Sequence, residues 1–472
     1  MTVVTKRICL LCFVVAVFAL PKYAYSGEMT FSSALSTLYK VNESIAAAGE
    51  TVQRHEMEVK AAKGLYFPTV SLNAGYLRFN DDLQMEVDLS PVKTSLAPLG
   101  QISPEIAYGL QGFPSSMNQV IQKEDMFVFG ASALWPLFSG GKISAVNKAA
   151  NIRAEMAHNA QYSLQLKLSS RLAELYFGTR LYKDVAEVKK EAFDTMTDHY
   201  NKAIKMEKAG VLAKVERMHA EVALAEAKRS YEQALRDCEL SKAALKSMLN
   251  SDDDIIPSTP LFIIPAYSIE PLSYFQEQAL SNNGDIKQLE GGLKLTDTSV
   301  TSSYSSFLPS VFLFGGADIY SHNKTSLAPD WTAGIGMTYV IFEGFGGYNK
   351  TRAAKSAQRA VQLSKIRAEK DIKTLIEQQY ITIENARADY ESIQSSIAFT
   401  EEYLRARKKA FDQGMATSLD VVDAELALSA AKIAAIGAAY KFDVAMAKLL
   451  ETSGLFGSFE DYRLKATVEL GL

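Results

Sequence analysis

Two stretches decide the fold. The first runs from Phe138-Ser139-Gly140-Gly141 to Gly210, and the second from Phe342-Glu343-Gly344-Phe345-Gly346-Gly347 to Gly414. Seventy-two positions separate Phe138 from Gly210, and 72 separate Phe342 from Gly414. Between these landmarks the chain is almost free of helix breakers: residues 137–256 and 330–472 hold no proline, Tyr348 to Gln413 hold no glycine, and Lys142 to Ala209 hold only Gly178. Ala, Glu, Lys, Leu and Gln, the strong helix formers, fill them. The spacing predicts two helices of about 68 residues, each roughly 100 Å long at 1.5 Å per residue. Each stops at its lone glycine, where a C-cap or turn is expected.

Working outward, the same duplication continues upstream. Phe67-Pro68-Thr69-Val70-Ser71-Leu72 mirrors Leu308-Pro309-Ser310-Val311-Phe312-Leu313, so the chain is an internal repeat. Between these marks and the long helices the period changes to two. Val70, Leu72, Ala74 and Tyr76 alternate with small or polar residues, as do Phe127, Phe129, Ala131, Ala133 and Trp135. Val311, Leu313, Ala317 and Ile319 follow in the second repeat, then Trp331, Ala333, Ile335, Met337 and Tyr339. Four strands of about ten residues with aromatic ends fit transmembrane β-strands; a water-soluble antiparallel sheet is the plainer alternative. Four strands cannot close a membrane barrel, and lipid forbids open edges. Other copies must complete the sheet, and three copies give twelve strands. Pro68 to Phe138 spans 70 positions but Pro309 to Phe342 only 33. The extra residues in the first pair, with Pro91, Pro98, Pro104 and Pro114, read as a long external loop.

Four half-length helices are expected at Met29 to Tyr66, Ala213 to Leu249, Leu272 to Phe307 and Ser418 to Leu450. The last carries a 3.5-residue seam of Val422, Leu426, Ile433, Ile436, Tyr440, Ala447 and Leu450, which favours coiled-coil packing. Domain boundaries fall at 1–26, 27–257, 258–270, 271–455 and 456–472. The first of these segments, with Lys6 and Arg7, an apolar run from Ile8 to Leu20 and Ala24-Tyr25-Ser26 before Gly27, reads as a cleaved signal peptide. An uncleaved anchor would need a longer run, and Leu11 before Cys12 is a poor lipidation context. Cleavage leaves Cys238 alone, hence no intramolecular disulfide. It also removes three cations, so the net charge of −4 becomes −7, which argues against a nucleic-acid partner.

At this point the chain resembles the TolC family of outer-membrane efflux and secretion channels. The resemblance rests on the duplicated strand–helix plan, the Phe-Ser-Gly-Gly lead into the long helix, and the turns Gly210-Val211-Leu212-Ala213 and Gly414-Met415-Ala416-Thr417-Ser418-Leu419-Asp420-Val421. It implies an α+β membrane protein: a homotrimer with a twelve-stranded β-barrel in outer-membrane lipid and a periplasmic α-helical barrel. Residues 250–271 and the tail after Ser453 would form an equatorial region. Its implied partners are a periplasmic adaptor and an inner-membrane transporter of the RND or ABC type. Gly210, Val211, Leu212, Gly414, Met415 and Ala416 correspond to adaptor-docking tips.

Asp420 and Asp423, three apart after the second turn, share a helical face, and in the family an acidic pair here lines the periplasmic gate. Two acids favoured by a helix N-terminus are the plainer explanation. Glu216 stands six past Gly210, as Asp420 stands six past Gly414. In relatives an acid at this place helps latch the gate through a tyrosine and an arginine. Here Phe411 and Ala416 occupy those positions, leaving Arg217 or Lys208 as alternatives. Ser139-Gly140-Gly141-Lys142 lacks phosphate-loop spacing, Asp252-Asp253-Asp254 lacks further ligands, and His55, His158, His199, His219 and His322 have no metal-ligand spacing. No nucleophile–base–acid set is readable, so neither an enzyme nor a cofactor is expected. The competing class is a periplasmic adaptor or coiled-coil scaffold without a pore, which would show one hairpin and soluble β-domains.

Overall fold

The computed structural model describes residues 27–101, 103–325, 327–466 and 468–470; the expected signal peptide lies outside them. In chain order the elements are β1 (Gly27–Met29), α1 (Phe31–Val41), α2 (Glu43–Gly64), β2 (Thr69–Arg78), β3 (Leu83–Asp88), α3 (Ser90–Leu96), α4 (Pro104–Gln111), β4 (Ser116–Gln122) and β5 (Asp125–Ser139). Then come α5 (Lys142–Lys208), α6 (Lys214–Met248), β6 (Ile255–Pro257), β7 (Leu261–Ile263), α7 (Leu272–Asn282) and α8 (Gly284–Ser303). The chain ends with β8 (Ser310–His322), β9 (Trp331–Thr338), α9 (Gly346–Asp412), α10 (Ser418–Thr452), α11 (Phe459–Arg463) and β10 (Val468–Leu470). The long helices α5 and α9 are 67 residues each, as the glycine-to-glycine spacing predicts. No described helix is long and apolar enough to cross a membrane.

Two of the expected half-length helices are not continuous. Met29 to Tyr66 divides into α1 and α2 at Asn42, and Leu272 to Phe307 divides into α7 and α8 at Asn283. The cause is the same at both sites. Asn42 Oδ1 accepts from the backbone N–H of Ser44 and Ile45, and Asn283 Oδ1 accepts from Asp285 and Ile286. Each asparagine caps a new helix in place of continuing the old one. The two stand 241 positions apart, the same offset as Pro68 and Pro309, so the break belongs to the repeat.

The chain folds as two compact units. One comprises Arg54–Ala154 and Gly292–Val361 and holds a four-stranded antiparallel sheet ordered β2-β5-β8-β9. Cross-strand partners share a face, so the pairing sorts the side chains. Val70 faces with Ala133, Leu72 with Ala131, Trp135 with Leu313, and Leu313 with Ile335. The other face carries Ser71 with Ser132 and Ser310 with Thr338, and there Ser132 bonds both Ser71 and Asn73. Ile319 does not extend the alternation: the register shifts there, and Phe129 and Gly130 pair with Tyr320 and Asp318 around it. Pro136 is accommodated beside a second shift, where a missing N–H costs little.

The first-repeat insert, expected as a long external loop, has secondary structure of its own. Its two ends pair as the β3–β4 hairpin, Pro91 and Pro104 stand at the starts of α3 and α4, and Pro98 lies in the short 3₁₀ turn between them. Pro91 and Pro104 sit in first helical turns, where their lack of an N–H is harmless. Gln122 ties the insert to the second repeat, donating to Asn323 O at 2.7 Å and accepting from Thr325 N at 3.0 Å.

The other unit contains the chain up to Gln53, Glu155–Gly291, and the chain from Gln362. Its core gathers Phe31, Tyr176, Phe177, Phe262, Phe442, Phe456 and Phe459, all buried. Tyr176 Oη donates to Met29 O and accepts from Thr259 N, whose Oγ1 accepts from Phe31 N. That chain pins β1 beside α5. Short strands complete it: β1 pairs parallel with β6, and β10 antiparallel with β7. The segments expected to be equatorial contribute Ile255, Leu261, Phe262, Ile263, Ile264, Phe456, Phe459 and Tyr462 to this core. The expected seam on α10 is displaced: Ile436, Ala447 and Leu450 are buried, but Leu426 is 58% exposed and Val421, Ala424 and Leu428 point inward instead.

Candidate functional site

The two helical hairpins meet where α5 turns into α6 and α9 into α10. Both turns have one design. Gly210 and Gly414 sit at φ +73° and +72°, a conformation in which a Cβ is strained. Gly210 N–H reaches Glu207 O and Val211 N–H reaches Met206 O; Gly414 and Met415 do the same with Phe411 and Ala410. These are paired Schellman closures. They turn the next residue outward, with Val211 69% and Met415 72% exposed. The residue after that turns inward: Leu212 and Ala416 pack on a small core of Ala203, Ala220, Leu404, Phe411, Val421, Ala424 and Leu428. The six expected docking residues thus separate into an exposed pair, an inward pair and the glycines that orient them.

The three expected gate acids have different surroundings. Asp420 is committed to its own helix, where Thr417 and Asp420 form a reciprocal capping box. The Thr417 hydroxyl and amide hold the Asp420 carboxyl below the usual range, with Arg407 at 3.4 Å adding to the pull. Asp423, one turn on, is exposed. Glu216 reaches across to the other hairpin, and its Oε2 accepts from the Ser418 backbone N–H at 2.7 Å. An acid at a helix N-terminus is stabilised by the first-turn amides, and here the acid comes from a different helix.

Neither alternative latch partner contacts Glu216. Arg217 pairs with Glu207 and Glu221, and Lys208 forms no ion pair among the described residues. Instead, Ser418 carries the junction onward. Its Oγ lies 3.2 Å from His199 Nε2, and the His199 ring packs 4.4 Å from that of Phe411. Burial, then the nearby Lys202 and Lys408, push the His199 pKa down to about 4, so the ring is neutral at pH 7. The sequence reading missed His199 because 219 positions separate it from Ser418. The capping box was legible as Thr417-x-x-Asp420. Among the described residues no three His, Cys, Asp or Glu gather as a metal site, and Asp254 is occupied by Lys246.

Elsewhere, the sheet offers a second functional surface. Val70, Leu72, Trp331, Ile335 and Met337 are exposed on one face of it, and contiguous exposed apolar side chains mark interaction or membrane-facing surfaces. Among the described residues the edge strands β2 and β9 each pair with a single neighbour.

Comparison with known proteins agrees with this geometry. The model of the outer membrane efflux protein family matches residues 34–251 and 276–455. The chain is similar to the probable efflux pump outer membrane protein TtgC of Pseudomonas putida, at 21% identity over 345 residues, 69% of each chain. Its fold is similar to that of CusC, with a TM-score of 0.73 at 14% identity over 91% of this chain and 93% of the other. It is also similar to the Campylobacter jejuni CmeC outer membrane channel, with a TM-score of 0.70 at 15% identity over 92% and 89%. With the duplicated sheet-and-hairpin plan and a family match to both repeats, the chain belongs to the outer membrane efflux protein family, the TolC-like outer-membrane factors.

Proposed function

We propose that three copies form the outer-membrane exit duct of a tripartite efflux or secretion system, conducting substrates passively from an inner-membrane RND or ABC-type transporter and a periplasmic adaptor. The protein resides in the outer membrane with its helical part in the periplasm. The observation that carries the trimeric reading is the open sheet with an exposed apolar face. Strands β2 and β9 are antiparallel edges of an even-stranded sheet, so β9 of one copy meets β2 of the next in antiparallel sense. Repeating that contact closes twelve strands without a lipid-exposed edge. The apolar face then meets lipid, and the face of Ser71, Asn73, Ser132 and the strand glycines lines the lumen.

The tips supply the gate and the docking surface in this reading. Three copies bring Asp420 and Asp423 together as carboxylate rings, which concentrate cations and repel anions. Glu216 holds the two hairpins of one protomer together through Ser418. Val211 and Met415 offer the adaptor small apolar contacts. The pump names carried by relatives such as TtgC support an efflux role.

Single-channel recording of the purified protein in planar bilayers tests the duct and its gate. The double variant Asp420→Asn, Asp423→Asn is expected to shift the permeability ratio toward anions and weaken block by divalent cations. An unchanged ratio refutes the gate assignment, and a folded trimer without conductance at any voltage refutes the duct.

A further inference from the structure

A groove of about 910 Å³ opens where β5, β8 and β9 meet α5, α8 and α9. Ser139, Ser310 and Thr338 line it, and they are cross-strand partners of one another. They therefore share the polar sheet face of Ser71, Asn73 and Ser132, the face away from the apolar band. Its size suits a small-molecule site.

The charge of the groove is one-sided. Lys142 and Arg153 both line it from α5, eleven residues apart with Val146 and Ala149 between them, and Lys350 lines it from near the start of α9. Among the described residues no aspartate or glutamate lines it. Among the described residues neither Lys142 nor Arg153 is in an ion pair, and Lys350 has only an exposed contact with Glu343 at 3.8 Å, worth little in water. Unneutralised cations in a common concavity focus the field and concentrate anions there. Ser299 and Ser302 bring hydroxyls from α8 that make no hydrogen bond among the described residues, leaving them available to an oxyanion. Leu295, Leu308 and Val340 add an apolar wall.

We infer that this groove binds amphipathic organic anions in transit. The acidic head, a carboxylate, phosphate or sulfonate, is drawn in by the combined positive field of Lys142, Arg153 and Lys350, and the apolar body lies along α5 and α8. The inference rests on the duct reading for its lumenal placement and specifies the substrate class for it. A bilayer phospholipid carries the same head chemistry, but the groove lies on the sheet face turned from the apolar band.

Titration calorimetry of the full protein in phosphatidylcholine nanodiscs tests this without requiring an open pore. The probes are naphthalene-2-carboxylate and 2-naphthylmethylammonium, which share an apolar body and differ in head charge. The carboxylate is expected to bind saturably and at least tenfold more tightly than the ammonium. Lys142→Gln, Arg153→Gln, Lys350→Gln together should weaken it at least tenfold, while the charge-keeping Lys142→Arg, Lys350→Arg pair retains binding and controls for folding. Equal affinity for both probes, or unaltered binding in the triple glutamine variant, overturns the proposal. Replacing the nanodisc lipid with phosphatidylglycerol should leave carboxylate affinity unchanged; competition there assigns the groove to lipid and also overturns it. Loss of the duct reading would appear separately, as absent conductance with anion binding intact.

Discussion

Acidification should loosen the junction of the two hairpins, and His199 sets the amount. The ring is 4% exposed and its pKa lies at about 4 against an ordinary 6.5. A depressed pKa means that the opened state binds the proton more readily, so the contribution is complete above pH 6.5 and is lost as pH falls through 4. The full difference of 2.5 units corresponds to about 3 kcal/mol at 1.36 kcal/mol per unit. About 2 kcal/mol of it, or roughly thirtyfold in the opening equilibrium, is already gone at pH 5. Lys202 and Lys408 oppose the imidazolium, and Asp412 and Glu216 favour it; Asp194 and Asp198 face the same small cavity. Because several groups share the site, the assay needs a non-titrating reference, His199→Gln, whose amide can still reach Ser418. Hydrogen exchange of the Ser418 amide and the two turns, corrected for intrinsic rates, should show protection falling by about twentyfold from pH 7 to pH 5 in the native protein and much less in the variant. Equal loss in both, or none in either, refutes the assignment to His199.

Two further perturbations probe the core and the sheet. Asp443 is fully buried on α10, its one hydrogen bond a 3.4 Å contact from Phe262 N–H, and burial pushes its pKa far up. A raised carboxyl pKa contributes stability at acid pH that is lost as pH rises, so Asp443→Asn should raise the melting temperature at pH 8 relative to the native protein and not at pH 4. An equal shift at both values would show that ionisation is irrelevant. On the polar sheet face, a Cβ on Gly336 would stand 2.6 Å from the Phe312 ring and one on Gly334 2.9 Å from Phe314. Gly336→Ala should displace the ring and destabilise the sheet by about 1–3 kcal/mol, read as a lower dissociation temperature of the oligomer; an unaltered temperature would show that the ring moves freely.

How much of this was legible in sequence depends on whether the signal was local. The long helices, their glycine closures and the four strands were readable because helix period, strand period and turn chemistry act over a few residues and occur twice. The breaks at Asn42 and Asn283 were local too, yet a single asparagine inside a helical pattern does not reveal whether its side chain will cap the following turn. The α10 seam was misplaced because several of its residues are apolar on all sides, and an alanine-rich helix carries little directional signal. The insert reads as a loop in sequence because four prolines usually interrupt structure, while here two of them begin helices. Groove residues and His199 were out of reach: their meaning depends on partners tens to hundreds of positions away.

The sharpest case is the pair Glu216 and Asp420, equivalent by position yet opposite in use. Both occupy the third residue of their helices, six past a glycine. In the second repeat the preceding cap is Thr417, whose hydroxyl and amide engage Asp420. In the first repeat the cap is Ala213, which offers no side-chain hydrogen bond, so the acid is released from its own helix. It is also one methylene longer, and it caps the neighbouring hairpin through Ser418. One substitution at the cap and one in side-chain length thus convert a local helix start into a tie between hairpins. Duplication supplied two identical closures, and their divergence gave one of them a role in holding the other.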